Sequence, residues 1–144
     1  PPGSGTHSGQ VSLPGGKHEL SDENIAATAL RETEEEIGIS VSSIELLGQL
    51  TQLYIPPSNF IVYPYVGILK TPAIFIPEEK EVVKVILLDL ESLLDEAKVK
   101  EKEIRLSTGQ SIRTPYYNIE GEIVWGATAM ILSELKSVLY EIGW

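Results

Sequence analysis

Four of the five residues after Arg31 are glutamates, in the run Arg31-Glu32-Thr33-Glu34-Glu35-Glu36-Ile37-Gly38, and no other segment restricts the chain as sharply. Like charges at such spacing weaken an isolated helix. The flanks predict a helix all the same. Ser21-Asp22-Glu23 offers an N-cap and acidic first-turn residues, helical periodicity runs from about Asn24 to Ile37, and Gly38 stands where a C-cap belongs. With Glu32 at zero and roughly 100° per residue, Glu35 falls at about 300° and Glu36 at about 40°. These three carboxylates therefore share one face. Ala26, Leu30, Thr33 and Ile37 form a separate stripe that can face a core, and Glu34 points away from both.

Clustered carboxylates repel one another unless a cation neutralises them, and hard divalent ions such as Mg²⁺ or Mn²⁺ take oxygen ligands together with substrate phosphates. The plainer reading of a Glu-rich helix is a solvated charge run. The residues ahead of the helix favour the first. Leu13-Pro14-Gly15-Gly16-Lys17 carries a glycine pair, which permits close approach of a ligand to the backbone.

The rest of the chain predicts strands at 44–54, 60–69 and 82–88, rich in β-branched and aromatic residues and punctuated by Pro, Gly and Asn. Gln10–Leu13 is a candidate short strand, and 90–97 a short helix. A hairpin is expected from 101–106 and 111–117 about Thr108-Gly109. Apolar spacing at Ile131, Leu132, Leu135, Val138, Leu139 and Ile142 predicts an amphipathic helix over about 124–142. Trp125, Met130, Tyr116 and Tyr117 read mainly as core and sheet packing. Helix, strands, helix in this order indicate an α+β domain, one unit over 1–144.

Charge and composition narrow the function. With 21 acidic against 11 basic residues, a net charge of −10 and only three arginines, a phosphate backbone would be repelled, so no nucleic-acid partner is expected. The absence of cysteine excludes disulfides, zinc–thiolate sites and thiol catalysis, and suits a reducing cytosol. No apolar run approaches the roughly 20 residues needed to span a bilayer, and no leader pattern opens the sequence. A cytoplasmic protein with no membrane partner is expected.

The combination of glycine loop and glutamate helix resembles the Nudix box, over about 16–39. Arg31, Glu32, Glu35, Glu36, Gly38 and Ile39 match it in register, and Glu23 sits eight residues before Arg31 as the pattern asks. Thr33 takes a position usually aliphatic, and Gly16 lies one residue earlier than strict spacing requires. Gly15-Gly16-Lys17, Asp22 and Thr28-Ala29-Leu30-Arg31-Glu32 look like the coenzyme A pyrophosphatase branch. The similarity continues through Tyr63-Pro64-Tyr65-Val66-Gly67, Glu81-Val82 and Trp125-Gly126-Ala127-Thr128-Ala129, and back to His7-Ser8-Gly9-Gln10-Val11. Two positions depart from that branch: Gly5 stands where it carries an arginine, and Leu13 replaces a phenylalanine. Such domains also place core strands ahead of the box, where this chain has about thirteen residues, so strands missing from its N-terminus are expected.

The resemblance implies an α/β/α sandwich around a central mixed β-sheet. It also implies a metal-dependent hydrolase that splits the pyrophosphate of a nucleoside diphosphate linked to another moiety. Glu32, Glu35 and Glu36 would hold Mg²⁺ or Mn²⁺, and Arg31 would orient them, with Glu23 as its partner. The general base would be a helix glutamate or Glu81, while Gly15, Gly16 and Lys17 would line the substrate. Coenzyme A or an acyl derivative would give 3′,5′-ADP and 4′-phosphopantetheine. ADP-ribose, NADH or another nucleotide is the alternative, and a non-catalytic nucleotide-sensing or interaction domain on the same fold is a second class. A homodimer is common among relatives. His7 is a lesser candidate for touching phosphate.

Overall fold

The computed structural model describes residues 10–95, 99–105 and 108–144. Gly5 and His7 lie outside these residues, as does the end of the helix expected over 90–97. The chain divides into two compact units, one ending at Val85 and the other beginning at Ile86.

The first unit is built on helix α1, Ile25–Ile37. Its N-cap is Asn24, whose side-chain oxygen accepts the Ala27 N–H at 2.8 Å. The cap is therefore one or more residues later than the Ser21-Asp22-Glu23 expectation, and Asp22 is released for another partner. Gly38 closes the helix at φ 74°, donating its N–H to the Glu34 carbonyl, as expected of a left-handed cap. Glu34 is exposed, as its angle predicts, and its carboxylate accepts the Val41 N–H at 3.0 Å at the start of the 3₁₀ turn Val41–Ser43.

Four short strands follow: β1 Ile44–Gln49, β2 Leu53–Ile55, β3 Phe60–Val62 and β4 Tyr65–Leu69. β1 pairs antiparallel with β4, with a bulge between Leu46 and Gly48, and β2 pairs antiparallel with β3. The long strands predicted at 44–54 and 60–69 are thus each split in two. One split falls at Leu50, whose N–H leaves the strand to reach the Pro64 carbonyl. An apolar cleft of about 200 Å³ lies between the α1 stripe and the β1–β4 pair, lined by Leu30, Thr33, Ile37, Ile44, Tyr65 and Phe75 among others. Thr33 fits this apolar position because its hydroxyl is satisfied by its own helix, donating to the Ala29 carbonyl at 2.7 Å.

The second unit holds helix α2 (Leu90–Leu94), strands β5 (Val99–Arg105), β6 (Ser111–Ile119) and β7 (Glu122–Val124), and helix α3 (Gly126–Glu141). The expected hairpin is present as β5–β6, and β7 extends it to three antiparallel strands. Leu93, Tyr117, Ile119, Val124 and Ala129 are its buried apolar residues. The Tyr117 hydroxyl lies 3.0 Å from that of Ser133 on α3, and Tyr140 donates to the Leu94 carbonyl at 2.5 Å. Tyr117 is core as read, whereas Met130 is exposed, on the outer side of α3.

Three expectations are corrected. Residues 10–13 and 82–88 form no strand among the described residues. At the second site the Val82 N–H is taken by the Glu78 carbonyl in a turn, so the segment begins with its donor already spent. The described strands also make three separate ladders, all antiparallel, and no single mixed sheet. Helices and strands are mixed along the chain, as the α+β class requires.

Candidate active site

Arg31 is the centre of the glutamate helix. A guanidinium has five N–H groups, and here each has an acceptor. Nε–H donates to Asp22 Oδ1 at 2.8 Å, and Nη2 donates to Asp22 Oδ2 and to the Lys17 carbonyl, both at 3.1 Å. Nη1 donates to Glu32 Oε1 at 3.0 Å and to Glu35 Oε2 at 3.1 Å. Glu19 adds a longer ion pair at 3.8 Å. The partner of Arg31 is thus Asp22, in a two-pronged pair, while Glu23 is exposed. The expectation of Glu23 is corrected: the neighbouring carboxylate has the reach.

Asp22 is 4% exposed at its side chain, and a carboxylate so withdrawn needs compensation. Besides Arg31, its Oδ2 accepts the Glu19 N–H at 3.0 Å and the Thr28 hydroxyl at 2.8 Å. These bonds, that to Arg31 foremost, hold its carboxyl well below the usual carboxylate range. The Arg31 guanidinium is correspondingly held more firmly protonated, chiefly by Asp22 and then by Glu32.

Glu36 lies one turn beyond Glu32 and meets its carboxyl in a hydrogen bond. Partial burial, that bond, and the nearby charges of Glu32 and Glu81 push the Glu36 carboxyl up to about 7, against a hydrogen bond from the Gly15 N–H that lowers it. Glu81 reaches this neighbourhood because its loop is stitched to the end of α1. The Ile76 N–H donates to the Ile37 carbonyl at 2.9 Å, and the Glu78 N–H to the Glu36 carbonyl at 2.8 Å.

The glycine pair packs against the carboxylates. A Cβ built at Gly16 would stand 2.4 Å from the Glu32 carboxyl carbon, so only glycine allows this approach. Gly15 serves through its N–H to Glu36, and Lys17 through its carbonyl to Arg31, while the Lys17 residue is exposed. The loop therefore braces the glutamates with its backbone. All eight residues singled out beforehand, Gly15, Gly16, Lys17, Arg31, Glu32, Glu35, Glu36 and Glu81, fall in the first unit.

Among the described residues no three acidic or histidine side chains are gathered into a ready ion cage. Glu32 and Glu35 are turned toward Arg31, and Glu32 and Glu36 share a hydrogen bond. The donor chemistry nonetheless fits a hard divalent cation. It consists of oxygen alone, and the raised Glu36 keeps a proton where a positive charge would otherwise compensate the cluster.

Reasoning from the sequence missed Asp22, Thr28 and His18 as parts of this site. Asp22 and Thr28 both stand in the resemblance to the pyrophosphatase branch, which gives neither a role, and Asp22 also suits a helix cap.

The NUDIX domain family matches residues 3–107. The chain is 34% identical over 130 residues to the uncharacterized Nudix hydrolase NudL of Photorhabdus laumondii, covering 90% of this chain and 68% of that protein. It is 37% identical over 142 residues to the mitochondrial Nudix hydrolase 15 of Arabidopsis thaliana, covering 94% of this chain and 49% of the relative. A NudL of Yersinia pestis is 33% identical over 130 residues, covering 90% and 64%. The chain belongs to the Nudix hydrolase family. It spans between about half and two thirds of the length of these relatives.

Proposed function

We propose that the protein hydrolyses a phosphoanhydride bond in a nucleoside diphosphate linked to another moiety, with Mg²⁺ or Mn²⁺, and that coenzyme A or an acyl derivative is the substrate. The observation that carries this reading is the Arg31 guanidinium, which holds Glu32 and Glu35 with one nitrogen while Glu36, its carboxyl raised to about 7, sits against Glu32. Glu32, Glu35 and Glu36 are the residues that would hold the ion. When bound, such an ion neutralises the phosphates and acidifies water.

Each side chain then has a task. Arg31 fixes the direction of two carboxylates in advance, so that little ordering is left to the moment of reaction. Gly16 lets the loop backbone close against the Glu32 carboxyl, and Lys17, exposed beside it, supplies a cation for an outlying phosphate. Glu81, exposed and close enough to act on the Glu36 charge, or one of the helix glutamates would accept the proton of the attacking water. Coenzyme A is favoured by Gly15-Gly16-Lys17, Asp22 and the residues from Thr28 to Gly38. Gly5, where that branch carries an arginine, keeps ADP-ribose and NADH as the second reading. The compartment is taken as cytoplasmic, the name of the Arabidopsis relative placing that protein in mitochondria.

Mass analysis of the products from coenzyme A, ADP-ribose and NADH, with and without each metal, tests the proposal on the full-length protein. Metal-dependent release of 3′,5′-ADP from coenzyme A is expected. Cleavage of another substrate alone would remove the coenzyme A assignment, and silence toward all three would remove the activity.

A further inference from the structure

The last turn of a helix leaves carbonyls with no partner inside the helix. In α1 two of them are taken by a segment far along the chain. The Ile76 N–H reaches the Ile37 carbonyl at 2.9 Å, and the Glu78 N–H reaches the Glu36 carbonyl at 2.8 Å. Donors two residues apart on one side match the spacing of extended chain. Between them stands Pro77, which has no N–H to leave unpaired and biases Ile76 toward the extended region. Burial of Ile76 itself contributes little, since the residue is 66% exposed.

The strap at 76–78 rests on Gly38. A Cβ built there would stand 2.8 Å from the Ile76 Cβ, 3.1 Å from its carbonyl oxygen and 3.2 Å from its nitrogen. Gly38 is also left-handed at φ 74°, a conformation that asparagine adopts at helix ends as well. The demand on backbone angle and the demand for space are therefore separable by substitution. Beyond the strap, Glu78 leads on to Glu81. Its carbonyl accepts the Glu81 N–H at 3.1 Å and the Val82 N–H at 2.8 Å, and its Oε1 accepts the Lys80 N–H at 3.1 Å. Hydrogen bonds thus run without a break from the end of α1 to Glu81, with Glu78 in both halves.

We infer that Ile76 and Glu78 are positioning residues for Glu81 and that Gly38 is their seat, its missing side chain admitting Ile76 against the helix end while Glu78 closes the turn that bears Glu81. The inference deepens the reading of this site as a hydrolytic centre and rests on that reading for its consequence in turnover. A side chain at Gly38 would lift the strap from α1, and Glu81 would lose its fixed distance from the glutamate helix.

The test uses the full-length protein without metal and reads hydrogen exchange at single amides. Gly38→Asn keeps a residue suited to the left-handed cap but adds a Cβ. Exchange at the Glu78 amide, corrected for intrinsic rates, should accelerate about tenfold or more, while the residue-38 amide, bonded to the Glu34 carbonyl, stays within about threefold of wild type. Gly38→Asn/Ile76→Gly removes the colliding Cβ and should restore most of the protection, whereas Gly38→Asn/Ile76→Ala keeps that Cβ and should not. Glu78→Ala should accelerate exchange at the Lys80 amide about threefold, and Glu78→Gln, which keeps the accepting oxygen, should leave it unchanged. Wild-type protection of the Glu78 amide in Gly38→Asn, or equal effects of glycine and alanine at position 76, would overturn the inference.

Turnover of coenzyme A with Mg²⁺ separates this inference from the functional reading. Gly38→Asn should lower kcat about tenfold with KM little changed, and Glu81→Gln should add nothing to that loss, because both act through one carboxylate. Losses that multiply, or a Glu81→Gln protein as active as wild type, would overturn the inference. A wild type that cleaves none of coenzyme A, ADP-ribose and NADH but shows the expected exchange pattern would sink the hydrolytic reading and leave the seating of the strap standing.

Discussion

The two units of the chain divide the labour of folding and chemistry unequally. In the second, Leu93 and Val124 are each 1% exposed, and Tyr117 and Ala129 each 5%, a close-packed core of apolar side chains. In the first, the buried residues among those described are Ile39, Pro64 and Thr28, and Thr28 is polar and spends its hydroxyl on Asp22. Its apolar α1 stripe faces an open cleft, with Leu47 and Ile68 on β1 and β4 more than half or half exposed. What orders the first unit around α1 is a charge network centred on Arg31. A core of apolar contacts is non-directional and tolerant, whereas a network of ion pairs has fixed geometry and fails when one member is removed. The unit that holds the site is the one whose order rests on direction.

That contrast can be broken in several ways. The largest effect should come from Glu35→Gln/Glu36→Gln, which removes two oxygen charges without removing bulk. Hydrolysis should fall on the order of a thousandfold, with melting temperature kept or raised. A variant losing activity only in proportion to its folded fraction would contradict the assignment. In the second unit, Leu93→Ala should cost about 2–5 kcal/mol of stability, read by urea unfolding, with turnover per folded molecule near wild type. Equal loss of turnover would show that the units are not separable in this sense.

Gly16→Ala sharpens the comparison from the first unit. The added methyl must displace the Glu32 carboxyl, and activity should drop about tenfold while stability moves little. A fall in stability with unchanged kinetics would mean that Glu32 has room to relocate. Tyr117→Phe, which deletes the hydroxyl near Ser133, should cost about 1 kcal/mol and leave metal dependence untouched.

The smallest effect is one of pH. Glu36 keeps its proton to about 7 in the folded protein but loses it in the ordinary carboxylate range when unfolded. Between those values the folded state binds more protons, so the stability of the metal-free protein should decline as pH rises from about 4.5 to about 7. Asp22 acts in a different window with the opposite sign: its lowered carboxyl stabilises above its ordinary value, and that contribution is lost as pH falls below it. Melting temperatures across pH 5 to 8 should flatten in Glu36→Gln, and an unaltered slope would show that another group is responsible.

The helix and its caps were legible because their signals are local. Period, Gly38 and the glutamate angles follow from neighbouring residues, and α1 and α3 appear where the pattern puts them. Glu32 and Glu36 meet, and Glu35 joins Glu32 on Arg31, as the shared face requires. Strand ends were less legible, since pairing is decided by donors spent elsewhere, as at Leu50 and Val82. The contacts of Thr28 with Asp22 and with His18 were not legible at all. Asp22 and Arg31 are nine positions apart, with a turn and a cap between them, and Asp22 had an adequate local role as a capping residue. Glu81 came within reach of the Glu36 charge through backbone bonds of its loop, which no side-chain pattern announces.

The central claim is that Glu32, Glu35 and Glu36, framed by Arg31, form a divalent-cation site. Its most direct test is an electron paramagnetic resonance titration of free Mn²⁺ at pH 8 with the full-length protein and with Glu32→Gln/Glu35→Gln/Glu36→Gln. The account predicts saturable binding to the wild type, competed by Mg²⁺ and lost in the variant. Equal binding to both proteins, or none to the wild type, would contradict it.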